Sequence, residues 1–224
     1  IQGRLEGLLG KMTGQQVEVI GSGRTDAGVH AACQVANFHL DTEKTPEQIM
    51  DYMNAYLPED IGVIEIKEVG ERFHSRLNVK GKTYRYRVLN TKIPHVFDRR
   101  YVHVVEEPLD VAAMQKAASY LEGTHDFKAF TSSKRGKKST VRTIESIRID
   151  QVSTSFVWDR DIRFTFSGNG FLYHMVRIMA GTLLEVGTGK RSVEETAALL
   201  GGGERFQAGF LAPACGLSLK EVYY

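Results

Sequence analysis

Apolar residues recur at helical spacing over positions 1–13 (Ile1, Leu5, Leu8, Leu9, Met12), and Gly14 supplies a stop. Residues 17–20 then alternate as a short strand, a glycine-rich stretch follows, and 33–40 reads as a second strand. The next helix carries its own start signal. Thr45 can cap, Pro46 takes the first helical position and Gln48 the third, ahead of Ile49, Met50, Met53 and Leu57, with Pro58 as terminator. Residues 62–69 read as a strand, and 83–89 alternate aromatic or branched side chains with arginines, as a half-buried strand with a basic second face does.

The second half has the same style. Leu109, Ala113, Met114, Ala117 and Leu121 form an apolar helical stripe closed by a turn at 123–126, and strands are predicted over 141–149 and 162–166. Gly168-Asn169-Gly170 opens a helix predicted over 172–186, Ser192 and Glu195 form a capping box for a short helix through Leu200, and 217–223 reads as a last strand. Several strands follow one another directly, as in hairpins. That order argues for an α+β fold, an antiparallel sheet covered by helices and compatible with two split βαβ-like halves, rather than for a doubly wound parallel sheet.

Composition adds little until charge is placed along the chain. The 224 residues, 42% hydrophobic, suffice for a real core, and no run approaches the roughly 20 apolar residues of a membrane helix, so a soluble globular protein is expected. The formal net charge of +2 predicts no polyanion partner by itself. Yet Arg72, Arg76, Lys80, Lys82, Arg85, Arg87, Lys92, Arg99 and Arg100 face a single acid, Asp98, over 72–100. Lys128, Lys134, Arg135, Lys137, Lys138 and Arg142 face none over 128–142. Segregation of this kind allows a nucleic-acid-binding face on a nearly neutral protein. Cys33 and Cys215 stand alone and are expected as two buried thiols in a chain of cytoplasmic type.

The densest candidate chemistry is the loop 21–30, GSGRTDAGVH. It lacks the Lys-Ser/Thr ending of a phosphate-binding loop and the spacing of a dinucleotide fingerprint. Asp26 is either a loop carboxylate capping a backbone N–H or pairing with Arg24, or a nucleophile or base kept charged by an arginine. Arg177 lies on an apolar helix, so it must emerge at an edge or find an acid. Tyr84 and Tyr86 share one face of their strand, for core packing or for stacking on a base, with Arg85 and Arg87 opposite. The seven histidines form no metal-ligand spacing.

Longer stretches carry a resemblance. GRTDAGVHA at 23–31, FHSR at 73–76, KTYRYRV at 82–88, GTHDF at 123–127, RTI at 142–144, GNGFLYHMVRIMAGTLLEVG at 168–187 and APACGLSL at 212–219 occur in the order found in the tRNA pseudouridine synthase A family. The chain is therefore similar to that family, of bacterial type, over nearly its whole length. The resemblance implies an extended central sheet built from two ferredoxin-like (RRM-like) halves, 1–105 and 106–224, with the active-site cleft between them. It also implies that a first strand, and a loop of the form YDG, precede Ile1.

Carried over position by position, Asp26 matches the family's essential aspartate, Arg24 an arginine that handles the RNA and the flipped nucleotide, Tyr84 the tyrosine that packs on the target base, and Arg177 the basic residue paired with the aspartate. His30, Asn169, Phe171 and His174 fall in family motifs. The implied activity is isomerisation of uridine in the anticodon arm of tRNA, at positions 38–40, by a cytoplasmic homodimer, with Phe97, Tyr101 and Trp158 as apolar contact candidates. Phosphate contacts are expected from Arg72, Arg76, Lys80, Lys82, Lys134, Arg135, Lys137, Lys138 and Arg142, with His30 nearby. The reaction breaks N1–C1′ and makes C5–C1′ without net redox change or hydrolysis, so it needs no cofactor, neither metal nor nucleotide. Three alternatives stay open: a non-catalytic RNA-binding module, a synthase acting on other tRNA positions, and a nucleoside hydrolase.

Overall fold

The computed structural model describes residues 1–93, 96–133, 139–152 and 160–224. In chain order the regular elements are α1 (Gln2–Thr13), β1 (Ile20–Gly21), β2 (His30–Ala31), β3 (Ala36–Asn37), α2 (Pro46–Tyr56), β4 (Gly81–Asn90), β5 (His103–Val105), α3 (Val111–Tyr120), β6 (Gly123–Asp126), β7 (Val141–Val152), β8 (Arg160–Gly168), α4 (Met175–Gly187), α5 (Val193–Ala198) and β9 (Leu217–Tyr223). The fold is of the mixed α+β class expected. The chain forms two compact units, Ile1–Arg24 with Gln34–Val79, and Thr25–Cys33 with Lys80–Tyr224. This division follows contacts rather than element order, because β4 hydrogen-bonds to β8 and β9.

In the first unit α1 ends at Gly14 with the left-handed φ of 72° that glycine adopts without cost. Helix α2 has the full capping box, Thr45 accepting from the Gln48 backbone and Gln48 from Thr45, with Pro46 in the first turn. Leu9, Val17, Val19, Ile49 and Met53 are the buried core. The strand expected at 33–40 shortens to β3 paired with β1. The one expected at 62–69 forms no ladder. Val63 satisfies both backbone groups on the Asn54 side-chain amide, at 2.8 Å each, and Val63 and Ile66 still pack on the core. The alternation there encodes burial without strand pairing.

The second unit is built on a seven-stranded sheet in the order β2-β9-β4-β8-β7-β6, with β5 pairing the far end of β4. It is antiparallel except for β2–β9 and β4–β5. Residues 123–126, expected as a turn, form edge strand β6 against β7. Helix α4 is buried nearly all round, as its continuous apolar sequence requires, and it packs on α3 and the sheet. It begins at Met175 rather than 172, because His174 has a left-handed φ of 65° that breaks the helix there, and the Tyr173 carbonyl accepts instead from Thr131 Oγ1 at 3.0 Å. Cys33 and Cys215 are free thiols, half-buried rather than fully buried. No helix among the described residues is long and apolar enough to cross a membrane.

Candidate active site

Asp26 opens a tight turn. Its carbonyl accepts from Val29 N at 3.1 Å, and Gly28 in the third position has φ +80°, the sign a type II turn demands there. A side chain on Gly28 would also meet the Ala214 methyl at 3.3 Å, so the turn lies close on the 212–217 segment. The chain then enters β2, whose Ala31 stands opposite Leu219 of β9, and Leu219 stands opposite Tyr84 of β4. Sheet spacing alone thus sets the backbone of Tyr84 about 10 Å from the exit of the Asp26 turn. A register shift between Thr83 and Tyr84 sits beside this row, and such irregularities re-aim side chains near functional sites.

Helix α4 brings two groups to Asp26. Arg177 Nη1 donates to Asp26 Oδ2 at 2.9 Å, and its Nε donates to the Ala212 carbonyl at 2.8 Å. His174, one turn earlier, lies with Nε2 at 3.5 Å from the same oxygen. The apolar helix thus resolves its arginine by pairing it with an acid. The Arg177 and Asp26 side chains are 12% and 22% exposed, so their attraction is screened less than at an open surface. His174 has φ 65°, the one positive φ outside glycine among the described residues, and it caps α4 through this backbone shape. Burial holds its imidazole below the ordinary histidine value. Asp26 opposes that shift, while Arg177 and Arg205 reinforce it. His174 Nδ1 is buried without a hydrogen-bond partner.

Aromatic residues form the other wall. The Tyr84 ring meets Phe171 edge-on, centroids 5.2 Å apart. Burial first, and the Asp26 charge second, push its phenol up to about 12, so the hydroxyl is neutral at physiological pH. Tyr86 is fully buried and donates to the Pro213 carbonyl at 2.9 Å. Gly216 lies against that ring, where an added Cβ would come within 2.8 Å of Tyr86 Cζ. The 212–216 stretch is therefore a backbone clamp: it accepts from Arg177 and Tyr86 and touches Gly28.

Asp26, Arg177 and Tyr84 are all in the second unit, with His174 and Phe171 beside them. Arg24 ends the first unit's opening segment and is exposed. Arg72 and Arg76 are exposed in the first unit, Arg76 Nε donating to the Gly21 carbonyl at 3.3 Å. Lys80, Lys82 and Arg142 are in the second unit, Arg142 Nη1 donating to the Ser139 and Val141 carbonyls. His30 Nε2 lies 2.8 Å from the Arg100 carbonyl. Lys134, Arg135, Lys137, Lys138 and Trp158 lie outside the described residues. Among the described residues no group of three or more His, Cys, Asp or Glu is placed to hold a metal ion. His174 and the 212–216 clamp had no chemical role in the sequence reading, although both lie in motifs noted there.

The arrangement is one carboxylate that meets Arg177 and His174 through the same oxygen, with a cationic partner behind it and an aromatic wall beside it. It can present a charged oxygen to a sugar or a base edge. The model of a family described as tRNA pseudouridine synthase matches residues 2–78 and 117–224. Over all 224 residues the chain is 47% identical to the tRNA pseudouridine synthase A of Bacillus sp. (strain KSM-64), with 89% of that relative covered. It is 46% identical to tRNA pseudouridine synthase A 1 of Clostridium tetani and 43% identical to tRNA pseudouridine synthase A of Brevibacillus brevis, again over the whole chain and 89% of each relative.

Proposed function

The chain belongs to the tRNA pseudouridine synthase family, and on that premise we propose that it isomerises uridine to pseudouridine in the anticodon stem-loop, at positions 38–40, with Asp26 as its essential carboxylate. The observation that carries this reading is the Asp26–Arg177 pair at 2.9 Å, partly buried and beside a neutral tyrosine.

The reaction breaks the N1–C1′ bond, turns the released uracil and joins C5 to C1′; the C5 hydrogen leaves as a proton to solvent and N1 takes up a proton in its place, so atoms and charge balance without any redox partner. Asp26 can act by attacking C1′, by adding at C6, or by removing the C2′ proton. Each route uses an anionic oxygen, and Arg177 supplies the balancing charge in a partly buried site. Tyr84 packs against the detached ring and keeps it near C1′, an orientation effect. The target nucleotide leaves its stack to reach Asp26.

Arg24 handles the flipped nucleotide in this reading, while Arg72, Arg76, Lys80, Lys82, Arg142 and the 134–138 cluster contact phosphates and position the arm. The two related α/β halves, the homodimer and the cytoplasmic location belong to the same reading. Its test is full-length protein with unmodified tRNA and no added metal or nucleotide, followed by mapping of pseudouridine. Pseudouridine at 38–40 is expected. Free uracil would identify a hydrolase, tRNA bound without product an RNA-binding module, and pseudouridine elsewhere a different target.

A further inference from the structure

We propose that Arg87 and Asp98 form a latch that positions His30, and through it the Asp26 turn, for the isomerisation; this rests on the functional reading above.

The sheet carries a charge imbalance. Arg87 of β4 stands directly opposite Arg163 of β8, and like charges in that relation destabilise a strand pair. Asp161, 4% exposed, relieves it by accepting from both guanidiniums through Oδ2, from Arg87 at 3.0 Å and from Arg163 at 2.8 Å. Burial disfavours the Asp161 anion, but the two arginines outweigh it and hold the carboxyl below the usual range. Arg163 has a second acid opposite it, Asp150 of β7, whereas Arg87 has only its share of Asp161 and keeps positive charge to be met. Asp98 meets it, with Oδ2 at 3.1 Å from Arg87 Nη2. Asp98 is the single acid in the run 72–100, so the sequence supplies one counter-ion there and the sheet draws it in.

What Asp98 carries with it decides the function. The Asp98 carbonyl accepts from Tyr101 N at 2.7 Å, closing a turn. That turn presents the Arg100 carbonyl to His30 Nε2 at 2.8 Å, with the Tyr101 ring 4.7 Å from the imidazole. A carbonyl can only accept, so His30 Nε2 carries the proton. The far end of the segment is fixed as well, because Val102 O accepts from Cys215 Sγ at 3.2 Å and β5 pairs with β4.

His30 directly follows the Asp26–Val29 turn and opens β2, which has two residues only. So short a ladder is a weak anchor for a reacting group, and the His30 contact supplies a side-chain hold at the same place. His30 is thereby a positioning residue rather than an RNA contact.

The test uses full-length protein and tRNA carrying uridine tritiated at C5. Asp98→Asn and His30→Ala should each lower kcat about tenfold, with the KM for tRNA within about twofold, because small misplacement of a reacting group costs rate more than binding. Combined, they should still lose only about tenfold, since both break one connection. Asp98→Glu should restore most of the rate. Without substrate, the imidazole NMR signals of His30 should shift in Asp98→Asn. A double variant about a hundredfold down, an unchanged kcat in Asp98→Asn, or unmoved His30 signals would each overturn the latch. An inactive wild type would instead contradict the functional reading, and the NMR arm would still decide the latch. Should Asp98→Asn not fold, Asp98→Ser, which is too short to keep the Arg87 contact, carries the same comparisons.

Discussion

Arg177 reaches Asp26 across 151 positions of sequence and uses its two ends differently: Nη1 holds the carboxylate, while Nε holds the Ala212 carbonyl. A lysine supplies the charge but has no planar fork with which to serve both partners. Arg177→Met should lower kcat by about 10²–10³, the magnitude typical of losing one preorganised electrostatic partner. Arg177→Lys should fall between that variant and wild type. Binding of tRNA should stay within about threefold of wild type for both, because phosphate contacts dominate affinity. Single-turnover kinetics with a parallel binding titration measures this.

Tyr84 separates ring from hydroxyl. With its phenol pushed up to about 12 by burial and by Asp26, the hydroxyl does not ionise in the working range. Tyr84→Phe should therefore keep the wild-type pH–rate profile through about pH 10. Tyr84→Leu keeps apolar bulk but loses the flat wall beside Phe171, and its kcat should drop by an order of magnitude or more. Rates measured from pH 6 to 10 for the three proteins decide it.

Two glycines give opposite outcomes. At Gly181 an added Cβ would lie 2.0 Å from the Phe210 carbonyl oxygen, a backbone atom that cannot swing aside. Gly181→Ala should cost about 3 kcal/mol or more by overpacking. Gly7, in α1, meets nothing within 4 Å, and Gly7→Ala should stabilise by up to about 1 kcal/mol through helix propensity. Thermal unfolding of both variants reads the two signs.

The fold was legible where local chemistry decides it. Thr45-Pro46-Gln48 and Ser192–Glu195 wrote their capping boxes into the sequence, and 217–223 was recognisable as a strand. It was illegible where partners are distant. Residues 62–69 alternate like a strand yet form no ladder, Val63 bonding instead to the Asn54 side chain, and 123–126 look like a turn until β7 is beside them. At the site, Asp26 and Arg177 stood out because a charged residue in an apolar or glycine-rich setting needs an explanation. His174 did not, since its left-handed backbone and its approach to Asp26 are tertiary facts. Nor did the 212–216 clamp, which acts through backbone carbonyls that carry no residue code.

His103 and His174 lower stability as the pH becomes mildly acidic. Burial holds both imidazoles below their ordinary value, so the unfolded chain takes up protons first as pH falls. Their contribution is complete above about pH 6.5 and is lost as pH falls toward the folded-state values. Urea unfolding at pH 7.5 and 5.5 should show a drop for wild type, and a smaller drop for His103→Gln. An equal drop would remove His103 from this account.

The carboxylate itself decides the central claim. Asp26→Asn preserves shape and most hydrogen bonding but removes the charge and basicity that every route to pseudouridine uses. Full-length Asp26→Asn should bind tRNA nearly as tightly as wild type and release no tritium from uridine labelled at C5, while wild type releases it and leaves pseudouridine in the anticodon arm. Substantial tritium release by Asp26→Asn, on protein free of wild type and not deamidated back to aspartate, would contradict the account.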